Sequence, residues 1–232
     1  MTSSTLKGSL SIVIPTLDAG AELPACLRAL GEGRDLVGEI IVADGGSRDA
    51  TLAVAATSGA RVIAAPSGRG QQLARGADAA RGTWLLFLHS DTNLAEGWAA
   101  VAEAFIAYPA NAARAGYFRF RLDDARRAAR RIEGMAAWRA KWLGLPYGDQ
   151  GLLIARTLYR EIGGYRRMPL MEDVDMVRRL GRARLAPLVC DAVTSAARYR
   201  RDGYIRRPLR NLACLALYFL GVPLQHLQRL YG

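Results

Sequence analysis

The stretch TWLLFLHSD, residues 83–91, sets a run of apolar residues directly before a histidine, a serine and an aspartate. An apolar run of this kind, without alternation, is typical of a strand buried on both faces of a parallel sheet. The preceding sequence fits the same sheet, because short apolar or β-branched runs alternate with helical patterns and so predict an α/β fold. The predicted strands are 10–16, 38–46, 60–66 and 83–91, and the predicted helices are 21–31, 47–59 and 70–82.

The second half of the chain is less regular. The spacing predicts a helix over 95–109, a strand over 114–122 and an amphipathic helix over 123–144. The last of these carries apolar residues on one side and arginines on the other, so its basic face is either a solvated surface or a surface for anions or a membrane. No repeat or linker is visible, and we therefore interpret residues 1–232 as a single domain.

The composition points toward an anionic partner and a reducing compartment. The formal net charge of +11 favours phosphorylated metabolites, an acidic membrane surface or nucleic acid, although a general bias toward arginine also explains it. The aromatic residues fall mostly at apolar periodic positions, which argues against nucleic acid. Cys26, Cys190 and Cys214 lack disulfide or zinc spacing, and residues 1–16 lack a signal-peptide pattern. We therefore expect a cytoplasmic protein.

Residues 206–232 are predicted to form a helical tail. Its strongly apolar part, 212–224, is shorter than the roughly 20 residues that a membrane span needs, and Gly221 and Pro223 interrupt it. The segment 209–231 therefore either packs on the domain or lies as an interfacial helix at the inner face of a membrane.

Polar residues follow three of the predicted strands at the point where each strand ends. Pro15 and Thr16 close the first strand, Asp44 closes the second, and His89 and Asp91 follow the fourth. Ligands of an open parallel sheet bind beyond the carboxyl ends of the strands. We therefore expect these residues to share one site.

The chemistry of these residues leaves alternatives open. Asp44 either accepts hydrogen bonds from a nucleotide or belongs to a turn in which Ser47 caps the next helix. Asp91 is suited to hold Mg²⁺ or Mn²⁺ against a diphosphate. His89 is either a softer ligand, better suited to Mn²⁺ than to Mg²⁺, or a hydrogen-bonding residue that orients Asp91.

The stretch LMEDVDMVRRL, residues 170–180, places acidic residues at the start of a predicted helix. The helix dipole favours carboxylates there, so capping alone could explain Glu172, Asp173 and Asp175. The preceding Pro169 and apolar residues instead suggest a loop that presents the acidic pair to a pocket, where a carboxylate could take a proton from an attacking hydroxyl.

Taken in this order, the motifs resemble family 2 glycosyltransferases with the glycosyltransferase A (GT-A) fold. The resembling segments lie within 10–181 and are SIVIPTLDAG, EIIVADGGSRDAT, GRGQQLARGADAARGTWLLFLHSDT and LMEDVDMVRRL. GRGQQLARGADAARG and LPYGDQGLLIAR also resemble a bacterial subgroup associated with arsenosugar biosynthesis. The resemblance implies a Rossmann-like, mostly parallel sheet flanked by helices, with a nucleotide-binding half at about 10–95 and an acceptor-side half at about 96–205.

On the donor side, the resemblance implies a nucleotide-sugar, usually carried on uridine diphosphate (UDP), and a Mn²⁺ or Mg²⁺ cofactor. Asp91 would be the metal-binding carboxylate, and His89 stands where the family usually has the first acid of an Asp-x-Asp motif. The residues implied to lie near the nucleotide are Pro15, Thr16, Asp44, Arg69 and Gln72.

On the acceptor side, the resemblance implies inverting transfer of the sugar to a hydroxyl group of an acceptor that the sequence does not identify. Glu172 and Asp173 match the acidic pair of the family, and Asp173 is the preferred catalytic base. Gly148, Asp149 and Gln150 would line the sugar or acceptor pocket.

Missing motifs exclude several other functions. The Gln-x-x-Arg-Trp motif of processive synthases is absent, which favours a single transfer. The turn PTLDAGAEL, residues 15–23, supplies neither the Gly-rich loop with lysine of a nucleotidyltransferase nor the G-x-G-x-x-G of a dehydrogenase. The remaining alternative is a non-catalytic protein that binds a nucleotide-sugar or an anionic lipid.

Overall fold

The sheet at the centre of the fold has eight strands in the computed structural model, which describes residues 6–231. In chain order the strands are β1 (Leu10–Thr16), β2 (Val37–Asp44), β3 (Arg61–Ala64), β4 (Trp84–Phe87), β5 (Thr92–Leu94), β6 (Ala115–Leu122), β7 (Leu152–Ala155) and β8 (Leu185–Thr194). The helices are α1 (Leu23–Ala29), α2 (Thr51–Thr57), α3 (Arg69–Ala79), α4 (Trp98–Ala107), α5 (Arg127–Trp138), α6 (Arg156–Glu161), α7 (Glu172–Leu180), α8 (Ala197–Asp202), α9 (Arg206–Phe219) and α10 (Leu224–Tyr231). The predicted α/β class is confirmed.

The strands follow the order β3-β2-β1-β4-β7-β6-β8-β5 across the sheet. The four strands of the first half are parallel, as their apolar runs predict. Beyond β4 the sheet is mixed, because β7 pairs antiparallel with both β4 and β6, whereas β6 and β8 are parallel. β5 pairs antiparallel with β8, so the chain passes from the parallel half to the mixed half within residues 88–91.

Two apolar clusters hold these layers together. The larger one surrounds β1 and β4, whose residues are all buried. Helix α3 packs so closely on β1 that a Cβ atom at Gly76 would overlap the Val13 side chain. A smaller cluster containing Phe120 and Ile132 lies under α5, which continues into a π-helical turn over Arg139–Leu143.

The helix after β2 begins later than its sequence pattern predicts, and Ser47 is not its N-cap. Helix α2 starts at Thr51, whose backbone N–H donates to the Asp49 carboxylate at 2.9 Å. Ser47 instead donates its hydroxyl to Asp44 and accepts the backbone N–H of Asp18. The Ser47 hydroxyl that was predicted to cap the helix is therefore bonded to the Asp44 carboxylate at the end of β2.

The C-terminal segment forms two helices that are separated at the predicted interruption. Gly221 has a φ of 78°, and Pro223 precedes α10. On α9, Cys214 is buried, whereas Leu209 and Leu212 are exposed. Within residues 6–231, no helix combines the length and the apolar character needed to cross a membrane.

Candidate active site

Asp44, at the end of β2, is fixed by a set of hydrogen bonds. Its carboxylate accepts the Thr16 hydroxyl at 3.0 Å and the backbone N–H groups of Gly46 and Ser47 at 2.9 Å each. Burial acts to raise the pKa of Asp44, but these bonds and the Ser47 hydroxyl bring that pKa below its usual value. Asp44 is therefore an ionised carboxylate in a defined position.

Gln72 ties the ends of β1 and β2 together. Its buried amide nitrogen donates to the backbone carbonyls of Thr16 and Ala43. Pro15 lies beside Ala43 in the paired strands, one residue before Thr16 and opposite the residue before Asp44. The residues of β1 and β2 that are predicted to contact the nucleotide thus lie close together. The amide nitrogen of Gln72 is already engaged in hydrogen bonds to the backbone of these strands.

The segment after β4 carries His89 and Asp91 into a cleft of about 110 Å³. The Nε2 atom of His89 is buried, has no hydrogen-bond partner and lies 3.9 Å from Oδ2 of Asp173. Burial, together with the positive charge of Arg69, lowers the pKa of His89 to about 4. The imidazole is therefore neutral at physiological pH and retains a lone pair that can accept a hydrogen bond or bind a cation.

The first turn of α7 brings the predicted acidic pair to the same cleft. Glu172 is fully buried, and its Oε1 lies 2.8 Å from Nε of Arg69. Asp173 accepts the backbone N–H of Gly148 at 3.1 Å and the hydroxyl of Tyr165 at 3.3 Å. Burial raises the pKa of both carboxyl groups, although Arg69 opposes the increase.

The three acids lie in the first turn of α7, where the helix dipole favours them, but none of them forms a side-chain cap. Helix α7 follows Met171, a residue with a φ of 65°, and no side chain caps its first N–H groups. Asp175 instead forms ion pairs with Arg166 at 3.0 Å and Arg179 at 2.7 Å. Asp175 thus stabilises the fold locally, whereas the two acids before it line the cleft.

The short 3₁₀ turn before β7 forms the wall opposite α7. A Cβ atom at Gly148 would overlap both Asp173 and His89, so only glycine fits this close approach. Gln150 is buried and donates its amide to a backbone carbonyl of β6 at 3.0 Å. Gln150 therefore supports the wall, while Gly148 and Asp149 face the cleft.

Asp149 is half-buried, and its Oδ1 atom is buried without a hydrogen-bond partner. Burial is the main cause that raises the pKa of Asp149 to about 6. A raised pKa in the folded state means that stability from this group is present below the unfolded-state pKa near 4 and is lost as the pH rises through 6. The fold therefore tolerates a destabilising charge at neutral pH, where this carboxylate faces the cleft.

We expect Asp149→Asn to increase the free energy of unfolding at pH 8 by ~2 kcal/mol, because the amide keeps the shape and removes the charge. The gain should shrink as the pH falls to 5. Urea unfolding in EDTA at both pH values measures this, with Asp78→Asn on the exposed face of α3 as the control. A gain of equal size at the two pH values, or a loss, would contradict the assignment.

Helices α8 and α9 complete the cleft with residues that the sequence patterns did not identify. These residues are Arg198, Tyr199, Arg207 and Asn211. All but Asn211 belong to the run ARYRRDGYIRRPLR, residues 197–210, in which no site residue was predicted from the sequence. Arg198 is exposed at the mouth of the cleft, and its charge contributes to the low pKa of His89.

A metal site formed by protein side chains alone is not present in residues 6–231, where no three His, Cys, Asp or Glu side chains are grouped to hold an ion. Asp91 and His89 nevertheless line one cleft with Asp173. The protein thus offers at most part of a coordination sphere at this position.

A family model for glycosyl transferase family 2 matches residues 11–173, more than half of the chain. The chain belongs to this family. Similar curated proteins include the PGL/p-HBAD biosynthesis glycosyltransferases of Mycobacterium tuberculosis and Mycobacterium bovis, which are 42% identical over 93 residues. That match covers 37% of this chain and 36% of each relative, so the chain spans about a third of the length of the curated relatives it matches.

Solved structures of a similar fold include glucosyl-3-phosphoglycerate synthase from Mycobacterium tuberculosis. Its complex with Mg²⁺ and UDP has a TM-score of 0.63 and 21% identity, covering 96% of this chain and 85% of that one. Its complex with Mn²⁺, UDP and glucosyl-3-phosphoglycerate has a TM-score of 0.61 and 21% identity, covering 95% of this chain and 82% of that one. This likeness confirms the predicted GT-A fold.

Proposed function

We propose that the protein transfers one sugar from a nucleoside-diphosphate sugar, with UDP as the expected leaving group, to a hydroxyl acceptor with inversion at the anomeric carbon. The observation that carries this proposal is the meeting of Asp91 and Asp173 in one cleft beside the strand end that holds Asp44. UDP together with Mn²⁺ or Mg²⁺ in the similar synthase structures supports the same donor class.

The residues present fit a divalent cation that the substrate helps to hold. Asp91 provides a carboxylate, and His89 provides a buried, unpartnered Nε2. Mg²⁺ sites of this kind use one or two protein ligands together with substrate phosphates and water. When bound there, the cation would neutralise negative charge on the diphosphate.

Asp173 is positioned to act as the base in a single displacement. Its raised pKa makes it a better proton acceptor than an ordinary aspartate, and two hydrogen bonds orient its carboxylate. As Asp173 takes the acceptor proton, the acceptor oxygen bonds to the anomeric carbon. The bond from that carbon to the phosphate oxygen breaks, and its electron pair leaves with the nucleoside diphosphate. Arg69, the first residue of α3, lines the cleft and contributes positive charge on the donor side.

Three finer assignments belong to the same proposal. The segments GRGQQLARGADAARG and LPYGDQGLLIAR support membership of the arsenosugar-associated subgroup. The three cysteines are all buried and unpaired, which supports a cytoplasmic location. The exposed leucines of α9 support peripheral contact of the segment 209–231 with the inner face of a membrane.

The test is a panel of nucleotide-sugars with Mn²⁺ or Mg²⁺, in which release of nucleoside diphosphate is followed with and without cell extract as acceptor source. We expect turnover of a UDP-sugar that EDTA abolishes. Asp91→Asn should weaken donor and metal binding together by at least tenfold, because it removes the anionic ligand. Binding without turnover would favour the non-catalytic alternative. The absence of both binding and turnover would contradict the proposal.

A further inference from the structure

An open groove of about 990 Å³ runs between α5 and α9, beside the cleft of the active site. Its walls are formed mainly by apolar side chains from both helices. The principal ones are Ile132, Met135, Trp138, Leu209, Leu212 and Leu215. The groove has several times the volume of the cleft. Its lining is mainly apolar, whereas charged side chains line the cleft.

Much of the apolar wall of the groove faces solvent, whereas Ile132 and Leu215 are buried. Trp138 is 57% exposed, and Leu209 and Leu212 are 60% and 62% exposed. One helical face at the start of α9 carries Ile205, Leu209 and Leu212, which are spaced four and three residues apart. One face of α5 likewise carries Met135 and Trp138, three residues apart. An exposed apolar surface of this size and continuity is typical of a binding site rather than of scattered surface residues.

The groove and the active-site cleft are continuous. Phe120, Tyr147, Asp149, Tyr199 and Asn211 line both of them. Asp149 is thus placed at the junction, next to the wall that holds Asp173. A molecule extended along the groove would reach the candidate base with its polar end.

The rim of the groove is basic. Arg131 and Arg206 line it from α5 and α9, and both are exposed. Arg139 lies at the same groove, with its guanidinium 3.4 Å from the centre of the Tyr147 ring. An apolar channel with a cationic edge is complementary to an amphiphile whose polar end is hydroxylated or anionic, and it does not suit a small soluble acceptor.

We propose that the groove between α5 and α9 binds the hydrocarbon chain of a lipid acceptor and so presents the lipid's hydroxyl group to Asp149 and Asp173. This proposal rests on the proposed function, because it names the acceptor class of the same site. The lipid enters from the open side of the groove past the arginines of its rim, its polar end reaches the cleft, and its chain covers the exposed apolar faces of both helices.

The experiment compares binding of n-decyl and n-butyl β-D-glucopyranoside, below the micellar concentration of the decyl compound, to the full chain loaded with UDP and Mn²⁺. Isothermal titration calorimetry measures both affinities. We expect the decyl glucoside to bind at least tenfold more tightly than the butyl glucoside. The double variant Leu209→Gln/Leu212→Gln should lose most of this chain-length preference, because it replaces exposed apolar wall residues with polar ones. Val189→Gln, at an 87% exposed site on β8 outside the groove, is the matched control and should keep the preference.

Circular dichroism and thermal unfolding establish that each variant is folded before its affinities are compared. An equal affinity for the two glucosides, in a protein that binds UDP, would overturn the lipid-acceptor proposal and leave the proposed function intact. Failure of the wild-type chain to bind UDP would instead overturn the proposed function. The remaining alternative is that a second copy of the chain occupies the groove, which sedimentation velocity tests. A wild-type dimer that has no chain-length preference, and that dissociates in the double variant, would assign the groove to that second copy.

Discussion

Asp173→Asn is expected to lower the turnover number by about 10²–10⁴-fold while the affinity for the nucleotide-sugar stays close to that of the wild type. The amide cannot take a proton, but its oxygen can still accept the N–H of Gly148 while its nitrogen donates to the hydroxyl oxygen of Tyr165, so the wall of the cleft should keep its shape. Single-turnover kinetics with a saturating donor isolates the chemical step. Donor affinity is measured separately by titration.

The control for this substitution is Asp78→Asn, which makes the same chemical change on an exposed part of α3. That variant should keep wild-type turnover. If Asp173→Asn also kept it, the base would lie elsewhere, and Asp149 would be the first alternative because its unpartnered Oδ1 faces the same cleft. The two candidates are distinguished by comparing their asparagine variants, because only loss of the true base lowers the turnover number without lowering donor affinity.

The placement of the site at the strand ends could be predicted from sequence because it depends on two local features. Apolar runs identify the buried parallel strands, and the polar residues that follow them must lie at the same edge of the sheet. Asp44, His89 and Asp91 are found there for this reason. Gly148 and Asp149 came only from the family resemblance, because nothing in their local sequence indicates that they approach α7.

The contribution of α8 and α9 could not be predicted because it depends on contacts between distant parts of the chain. Tyr204 donates its hydroxyl to Asp124, which lies 80 residues earlier in the chain, and this bond holds the start of α9 near the cleft. A basic, apolar sequence of this kind suits a solvated tail or a membrane surface equally well. The role of Ser47 was missed for a related reason, since only the folded strand end shows that Asp44 takes its hydroxyl.

The ion pair between Arg69 and Glu172 connects the donor side of the site to the stability of the fold. Glu172 is fully buried, and the Nε of Arg69, 2.8 Å away, is the cation that balances its charge. Removing one partner of a buried pair leaves an uncompensated charge, which typically costs 3–5 kcal/mol. We expect Arg69→Met to lower the free energy of unfolding at pH 8 by ~3 kcal/mol, because Arg69 is partly exposed and the full penalty is not reached.

The pH dependence and a second substitution separate this effect from a simple loss of packing. Burial already raises the pKa of Glu172, and without Arg69 its pKa should rise further. A raised folded-state pKa gives stability that is present at low pH and lost as the pH increases, so the deficit of Arg69→Met should be larger at pH 8 than at pH 5. Adding Glu172→Gln removes the buried charge and should restore most of the lost stability at pH 8, as measured by urea unfolding in EDTA. A deficit that is independent of pH and is not reduced in the double variant would mean that Arg69 stabilises the fold through its side-chain packing rather than through the charge of Glu172.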